Sequence, residues 1–211
     1  MILHGYALSS ASYRVRIALA LKGLEVTTVT KQLRLDEHRQ ADFLRLNPQG
    51  FVPALSVDDG QVLTQSLAIV EYLDEVYPEP PLLPAAPAAR ARVRSLSQLI
   101  ACDVHPLNNL RVLKYLEGPL GLDQQARVAW YHHWVRAGFD ALEQRLVQDS
   151  PAGRFCHGDS PGMADLCLVP QVFNARRFAL DLGPYPRIVS IEAACAELPA
   201  FKSAAPERQP Q

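Results

Sequence analysis

Residues 9–20 of the chain read Ser-Ser-Ala-Ser-Tyr-Arg-Val-Arg-Ile-Ala-Leu-Ala, and they follow a short apolar run at residues 1–6. The apolar run predicts a strand and the next apolar positions have helical spacing, so a strand should end where a helix begins. Serine is a favoured N-cap, yet this junction has serines at positions 9, 10 and 12, more than one cap needs. Because the first turn of a helix has free N–H groups and a partial positive charge, the junction also suits an anion such as a thiolate.

The first eighty residues alternate between strand and helix patterns. Strands are predicted at residues 2–6, 26–30, 53–57 and 61–63, and helices at residues 12–22, 38–46 and 66–77. The order β-α-β-α-β-β-α predicts a mixed sheet with helices packed on it. Residues 77–84, Tyr-Pro-Glu-Pro-Pro-Leu-Leu-Pro, then predict a linker, because proline is excluded from helix interiors and central strands.

The remainder of the chain is predicted to be helical. Helices are expected at residues 88–115, 122–148, 163–178 and 186–196. Pro106 and Pro170 should bend or break the helices that contain them, and the tail at residues 204–211 should be loosely held. The predicted fold class is therefore α/β plus all-α, with an α/β domain at residues 1–82 and a helical domain at residues 87–211.

Composition excludes several classes of function. With 21 basic and 22 acidic residues the net charge is −1, and no long basic stripe appears, so neither nucleic acid nor a membrane surface is an expected partner. No apolar run approaches the ~20 residues of a membrane span, and a signal-peptide pattern is absent, so a cytoplasmic protein is expected. The four cysteines and six histidines lack ligand spacing, so no metal site is expected and the thiols should be reduced and mostly buried.

Three features of the first half converge on one kind of ligand. The serine-rich helix start at residues 9–12 suits a thiolate. A Val52-Pro53 bond at the mouth of a strand permits a cis turn, which leaves the Val52 N–H and C=O free to pair with a peptide-like ligand. Gln65-Ser66 opens the third helix and offers a site for a carboxylate. Glutathione carries a thiol, peptide groups and an α-carboxylate, so it matches all three features.

These motifs, with others further along the chain, resemble the zeta class of glutathione transferases. In the first half the resemblance rests on Ser-Ser-x-Ser-x-Arg-Val-Arg-Ile-Ala-Leu, Asn47-Pro48, Val52-Pro53 and residues 65–69. In the second half it rests on Gly158-Asp159, residues 163–172, Arg177-Phe178 and residues 181–186. The resemblance covers nearly the whole chain, and it implies a thioredoxin-like N-terminal domain that binds glutathione, a C-terminal helical bundle and a homodimer.

The resemblance also implies roles for individual residues. Ser9 matches the hydroxyl that stabilises the thiolate, and Ser10 is the second catalytic candidate. The implied contacts to the cofactor glutathione are Ser9, Ser10, Ala11, His38, Val52, Pro53, Gln65, Ser66, His105, Asn109, Leu110 and Arg111. Arg111 and Arg177 match arginines that face the carboxylates of a small dicarboxylate substrate, a task for which a guanidinium is well shaped.

The class includes maleylacetoacetate and maleylpyruvate isomerases, so the implied reaction is a glutathione-dependent cis–trans isomerisation of a small dicarboxylic ene-dione from aromatic breakdown. One alternative is a general glutathione transferase that acts on small electrophiles such as α-haloacids and does not need arginine clamps. The other is a non-catalytic thioredoxin-like binding module in which the serines only cap a helix. Leu8 stands where relatives commonly carry arginine, which adds weight to the transferase, and Ala11 replaces the cysteine of many zeta enzymes.

Several of these residues also have purely structural interpretations. Arg111 and Arg177 fit a solvated surface or a structural ion pair, since surface arginine is common. His105 can simply mark a helix distortion. Asp165 is expected to be structural, because it lies three residues after the predicted cap Gly162, which is the distance of a capping box.

Overall fold

A four-stranded mixed sheet, in the order β2-β1-β3-β4, forms the centre of the first of two units. The computed structural model describes residues 1–149 and 153–210; by their contacts, residues 1–83 group with those from 196 onward, and residues 84–195 form the second unit. β1 pairs in parallel with β2 and antiparallel with β3, and Leu3 faces Leu55 in the core of the sheet. The strands are β1 (Ile2–Gly5), β2 (Thr27–Thr30), β3 (Ala54–Ser56) and β4 (Val62–Thr64).

Three helices follow the strands of this sheet and confirm the predicted element order. They are α1 (Ser10–Leu21), α2 (Ala41–Leu46) and α3 (Ser66–Val76). α1 is buried on nearly every side, and Gly23 just beyond its end has a φ of 65°, the left-handed conformation that glycine adopts without strain. α1 packs against α3, so the amino ends of both helices are held in one unit.

The proline-rich residues 77–84 are irregular, as predicted, but they are bonded to the first unit. Lys22 Nζ lies 2.7 Å from Asp74 Oδ1 and donates to the Pro80 carbonyl at 2.6 Å. Asp74 Oδ1 also accepts the Leu82 N–H at 2.7 Å. The buried ammonium and the carboxylate therefore hold the first part of this segment against α1 and α3.

The second unit is built from helices, and the described residues of this unit contain no strand. α8 is buried along most of its length and contains Pro170 within a continuous helix. Tyr131, Val135 and Phe139 of α7 are fully buried and contribute to the core of this unit. The helices are α4 (Pro87–Gln98), α5 (His105–Asn108), α6 (Leu110–Glu117), α7 (Gln124–Gln148), α8 (Met163–Arg177) and α9 (Pro186–Ala196).

The long helix predicted at residues 88–115 is interrupted on both sides of the short turn of helix that contains Pro106. α4 passes into a π-helical segment, Leu99–Val104, which precedes the short α5. Asn109 then leaves the helical conformation, with φ −67° and ψ 149°, and caps α6. The prediction of a distortion near His105 is confirmed, although it consists of two irregular segments, the π-helical turn and the extended Asn109, and not of a single kink.

The C-terminal tail is not loosely held, so that expectation is wrong for residues 204–210, while Gln211 lies outside the described residues. α10 (Pro199–Ala204) packs against α1, and a 3₁₀ turn, Pro206–Arg208, contacts α10. Gln209 Nε2 donates to the Ser203 and Ala205 carbonyls at 2.8 Å and 3.2 Å. Such short elements give little periodic signal in a sequence. The tail therefore groups with the sheet by its contacts, rather than with the helical domain expected at residues 87–211. In the described residues, no helix is long and apolar enough to cross a membrane.

Candidate functional site

The junction between β1 and α1 presents a hydroxyl at a helix N-terminus. Ser9 is the N-cap of α1; its Oγ accepts the Ser12 N–H at 3.2 Å and its own N–H donates to the Tyr6 carbonyl at 3.1 Å. Because Oγ is the acceptor in the capping bond, the hydroxyl proton remains available to an outside acceptor. No acidic residue lies in the first turn of α1, so no carboxylate offsets the partial positive charge there.

The other hydroxyls of this junction have different surroundings. Ser12 is fully buried, and its Oγ accepts the Tyr6 N–H at 3.3 Å, so it helps to hold the chain that leads into the helix. Ser10 is also buried, whereas Ser9 and Ala11 are half-buried. Of the three hydroxyls, Ser9 is the most accessible to a ligand.

The Val52–Pro53 peptide bond is cis, and the β3 ladder begins only at Ala54. Among the described residues, no backbone hydrogen bond uses the N–H or C=O of Val52, so both groups can pair with a peptide-like ligand. The preceding loop is held by the buried Asn47, whose Nδ2 donates to the Phe51 carbonyl at 2.8 Å.

His38 lies in a 3₁₀ turn, Glu37–Arg39, which packs against the loop that leads to Val52. A Cβ on Gly50 would approach the His38 carbonyl to 2.9 Å, and Gly50 has a φ of 62°. Only glycine permits both this close approach and this backbone conformation without strain. His38 Nε2 is 4.0 Å from Asp36 Oδ1.

Gln65 and Ser66 form the start of α3. Gln65 has a φ of 68°, a conformation that costs a residue with a side chain about 1–3 kcal/mol and that concentrates at binding sites. Its Nε2 donates to Gln49 Oε1 at 2.8 Å. Ser66 Oγ accepts Arg14 Nη1 at 3.2 Å, so its hydroxyl proton, like that of Ser9, can be donated to a ligand.

These contacts connect the predicted ligand-binding residues of the first unit. Arg14 links α1 to the start of α3, and the Gln65–Gln49 bond links α3 to the loop before Val52. The unit thus presents two helix N-termini with serine hydroxyls and one segment with free backbone groups. This set can bind an extended anion that contains a thiolate, a peptide group and a carboxylate.

In the second unit, the predicted residues at the α5–α6 break contact one another. Asn109 Nδ2 is 3.3 Å from His105 Nε2, and Asn109 Oδ1 accepts the Arg111 N–H at 3.1 Å. Leu110 is 39% exposed and Arg111 is exposed at the start of α6. The asparagine therefore caps α6 and fixes the backbone of the arginine.

Arg177 is the exposed last residue of α8, beside an aromatic pair. The Tyr131 ring stacks on the Phe178 ring at a centroid distance of 3.9 Å, and the Tyr131 hydroxyl donates to Asn174 Oδ1 at 2.5 Å. Burial raises the pKa of Tyr131, and the positive charge of Arg177 opposes that rise. The Arg177 guanidinium is thus near enough to the Tyr131 hydroxyl to affect the ionisation of that hydroxyl.

The other side chains with reactive potential are the possible metal ligands and the cysteines. The described residues contain no group of three or more His, Cys, Asp or Glu side chains that could hold a metal ion. Cys156, Cys167 and Cys195 are buried free thiols, whereas Cys102 is exposed. Burial raises the pKa of Cys156 and Cys195, so these thiols stay protonated and are poor nucleophiles at neutral pH.

Three residues that hold the site together had no functional role in the sequence analysis. Arg14 and Arg16 are buried within α1, where arginine is normally expected on the solvent side. Asn47 is buried and supports the loop before Val52. The sequence contains only weak signals of these roles. Apolar residues surround Arg14 and Arg16 on every side of α1, and Asn47 precedes a proline.

Comparison with known proteins identifies the family. The family described as "Glutathione S-transferase, N-terminal domain" matches residues 8–76, and "Glutathione S-transferase, C-terminal domain" matches residues 128–200. A maleylpyruvate isomerase from Ralstonia is 50% identical over 210 residues, which cover 100% of this chain and 99% of that protein.

Solved structures agree over the full length. A holo maleylpyruvate isomerase, described as a bacterial glutathione S-transferase of the zeta class, is 49% identical with a TM-score of 0.98 and covers 100% of this chain and 99% of its own. A maleylacetoacetate isomerase from Methylobacterium extorquens AM1, solved with malonate and glutathione bound, is 42% identical with a TM-score of 0.97, covering 100% and 98%. The chain therefore belongs to the glutathione S-transferase family and, within it, to the zeta class.

Proposed function

We propose that the protein is a glutathione-dependent cis–trans isomerase of a small dicarboxylic ene-dione such as maleylpyruvate or maleylacetoacetate. The observation that carries the proposal is the Ser9 hydroxyl, which caps α1 through its oxygen and keeps its proton for a thiolate. The names of the full-length relatives support isomerisation as the reaction. A non-catalytic thioredoxin-like module would also have the Ser9 cap, so it is the names of the relatives that argue against this alternative.

The residues of the first unit fit glutathione. We assign Ser9 to the thiolate and Ser10 and Ala11 to neighbouring positions of glutathione. His38 and Val52 are assigned to the cysteinyl and glycyl groups, Gln65 and Ser66 to the γ-glutamyl group, and Pro53 to a further contact with glutathione. Ser9 and Ser66 each accept a bond from the protein and have a proton to donate, and the backbone of Val52 is open. Bound glutathione supplies a thiolate that adds to a conjugated cis double bond and leaves after rotation about the resulting single bond.

The electrostatic requirement at Ser9 is modest. An ordinary cysteine thiol has a pKa of ~8.5, so lowering it by about two units requires about 2.7 kcal/mol of preference for the thiolate. A hydrogen bond to an ion contributes about 1.5–3 kcal/mol, and a helix N-terminus contributes about 0.3–1 kcal/mol. The two contributions together amount to about 1.8–4 kcal/mol, a range that includes the required preference.

The second unit contributes to both ligands in this proposal. His105, Asn109, Leu110 and Arg111 contact glutathione, and Arg111 and Arg177 bind the carboxylates of the substrate. Arg111 has a backbone fixed by Asn109, and Arg177 is exposed at the end of α8. A guanidinium can also stabilise the oxygen charge that develops when a thiolate adds to an enone.

Replacing Arg177 by alanine should raise the KM for substrate more than the KM for glutathione, because Arg177 is assigned to the substrate alone. Equal increases in the two KM values would contradict this role.

A general transferase activity on small electrophiles such as α-haloacids is the second candidate. It is favoured by Leu8, an apolar, half-buried side chain directly before Ser9 where an arginine would attract a second carboxylate. A transferase needs the same thiolate but no carboxylate clamp. The two reactions therefore differ in substrate and not in the role of Ser9.

The test is the glutathione-dependent loss of maleylpyruvate absorbance. We expect turnover with glutathione and none without it, and a fall in kcat of about 10²-fold in Ser9→Ala, since one preorganised donor contributes about that much. Ser9→Thr keeps a hydroxyl and serves as the matched control, with a much smaller loss. No isomerisation together with conjugation of an α-haloacid would establish the transferase instead, and no binding of millimolar glutathione would leave only a binding module.

We also propose a homodimer in the cytoplasm. The buried free thiols are consistent with a reducing compartment, and the family resemblance implies a dimer. Sedimentation should give twice the 23.3 kDa of the chain, and a species of one chain mass at micromolar concentration would contradict the dimer. Recovery of the native protein in a periplasmic fraction would contradict the location.

A further inference from the structure

Arg16 is a buried cation that connects two distant parts of the chain. It lies on α1 and is only 8% exposed. Its Nε donates to the Ala204 carbonyl at 2.9 Å, at the end of α10. Its Nη1 and Nη2 donate to the Tyr6 and Ala7 carbonyls at 3.3 Å and 3.0 Å, in the loop between β1 and Ser9.

The guanidinium suits this task because its donors form a rigid, planar fork. Its partners are main-chain oxygens, so it holds backbone positions and not side chains. Burial lowers the pKa of Arg16 to about 10, and neighbouring Tyr13 opposes this effect. Arg16 therefore remains protonated at neutral pH, and its three bonds are made by a charged donor.

The loop held by Arg16 determines where Ser9 starts the helix. The Tyr6 carbonyl accepts both Arg16 Nη1 and the Ser9 N–H, the latter at 3.1 Å. The Tyr6 N–H in turn donates to Ser12 Oγ at 3.3 Å. A shift of the Tyr6 peptide group would therefore move Ser9 together with its capping bond.

The other side of Arg16 is fixed by α10. Phe201 is 2% exposed within the first unit, and its carbonyl lies 3.5 Å from the Tyr13 hydroxyl on α1. Arg16 itself lies with its guanidinium carbon 5.2 Å from the centre of the Tyr13 ring. The last helix of the chain and the loop before Ser9 thus share one guanidinium.

We propose that Arg16 is a positioning residue for Ser9, and that through it α10 forms part of the site that activates glutathione. The inference rests on the proposed function, since it assigns to Ser9 the hydrogen bond to the thiolate. Arg16 touches neither ligand in this account. It acts by holding the Tyr6 and Ala7 carbonyls, and α10 acts by holding Arg16.

Three variants and one control distinguish the hydrogen-bond geometry of the Arg16 guanidinium from its positive charge and from its effect on overall stability. Arg16→Met removes all three donors and keeps much of the side-chain volume. Arg16→Lys keeps the charge, but a single ammonium cannot span the Ala204 carbonyl and the loop carbonyls together. Phe201→Ala removes a buried side chain of α10 and so weakens the packing of α10 on α1 without changing Arg16. Lys22→Met is the matched control, because it removes another buried cation of the same unit, one bonded to Asp74 and Pro80 and not to the loop.

Two readouts are measured on the full-length protein well below its melting temperature. Without glutathione, hydrogen exchange of the Ser9 and Ser12 amides reports the order of the loop. With glutathione bound, the ultraviolet absorbance of the thiolate against pH gives the pKa of its thiol. We expect faster exchange and a rise of about one pKa unit in all three variants, which at pH 7 lowers the thiolate fraction roughly threefold from that of a thiol with a pKa of ~6.5. Lys22→Met should lower Tm and leave both readouts unchanged.

The outcomes distinguish this inference from the proposed function. Wild-type behaviour of Arg16→Lys in both readouts would overturn the role of the fork, and faster exchange confined to α10 in Phe201→Ala would overturn the role of the last helix. Unchanged readouts in a folded Arg16→Met, or equal shifts in Lys22→Met, would reduce Arg16 to a structural residue. Failure of the wild-type protein to bind glutathione would instead overturn the proposed function, and the loop exchange would still test whether Arg16 positions Ser9.

Discussion

Ser9 and Asp165 both lie at helix N-termini, but their surroundings give them different tasks. Ser9 is half-buried and accepts one bond, from the Ser12 N–H. Asp165 is 1% exposed and uses both carboxylate oxygens, accepting the Gly162 N–H at 2.8 Å and the Cys156 N–H at 2.9 Å. The Asp165 half of the predicted capping box at α8 is confirmed, whereas Gly162 has no side chain to make the reciprocal bond. Both carboxylate oxygens are already bonded within the protein.

Asp165→Ala should lower the free energy of unfolding by about 3 kcal/mol, because the buried Cys156 N–H and the part-buried Gly162 N–H lose their acceptor and each such loss costs about 1–3 kcal/mol. Asp165→Asn keeps one acceptor oxygen and should lose about half as much. Urea denaturation measures both values. A loss below about 1 kcal/mol in Asp165→Ala, or a change in glutathione affinity in the folded variant, would contradict a purely structural role.

Residue roles were predictable from the sequence where a local pattern encodes them. The distance from Gly162 to Asp165 identified the capping box, and the run of hydroxyls identified the start of α1. The roles of Arg14 and Arg16 were not predictable in this way, because each has a partner far away in sequence, Ser66 for Arg14 and Ala204 for Arg16. A sequence shows that an arginine interrupts an apolar pattern, but not which oxygen it meets.

At the scale of elements, the break after α4 depends on a glycine in another helix. Gly138 of α7 faces Val104, the last residue of the π-helical segment, and a Cβ at Gly138 would overlap Val104 Cγ2. Val104 is 2% exposed, so it has little room to move. The missing side chain at Gly138 thus permits the close packing of the segment that leads into His105.

Gly138→Ala should destabilise the protein by about 1–3 kcal/mol, the usual cost of overpacking, although alanine is the better helix former. Val104→Ala removes the overlapping methyl group, so the double variant should lose clearly less than the sum of the two single variants. Thermal or urea unfolding of all four proteins measures the coupling.

Gly118→Ala is the control for this prediction, because a Cβ there would meet only ordinary contact, 3.4 Å from the Lys114 carbonyl. It should change stability by less than 1 kcal/mol. Additive effects of the Gly138 and Val104 substitutions would contradict the proposed contact. The π-helical segment itself was not predictable, since Pro106 indicates that a helix is disturbed but not how the preceding turn rearranges.

At the scale of the whole molecule, each unit has its own core and its own share of the predicted site residues. The order of elements, the α/β plus all-α class and the glutathione transferase family all followed from the sequence, because strand and helix periods differ and the motifs are spread along the whole chain. The tail was the main error. α10 has six residues, and its place beside α1 is set by tertiary contacts such as that of Arg16 with Ala204.

Catalysis by this protein depends, in our proposal, on the ionisation of a bound thiol at the start of α1. The most direct test is titration of glutathione bound to the wild-type protein and to Ser9→Ala, followed by the ultraviolet absorbance of the thiolate. We expect a pKa about two units below the ~8.5 of an ordinary cysteine thiol in the wild type, and a return toward that value in Ser9→Ala. A bound thiol that ionises in the wild-type protein at the same pH as in water would contradict the account.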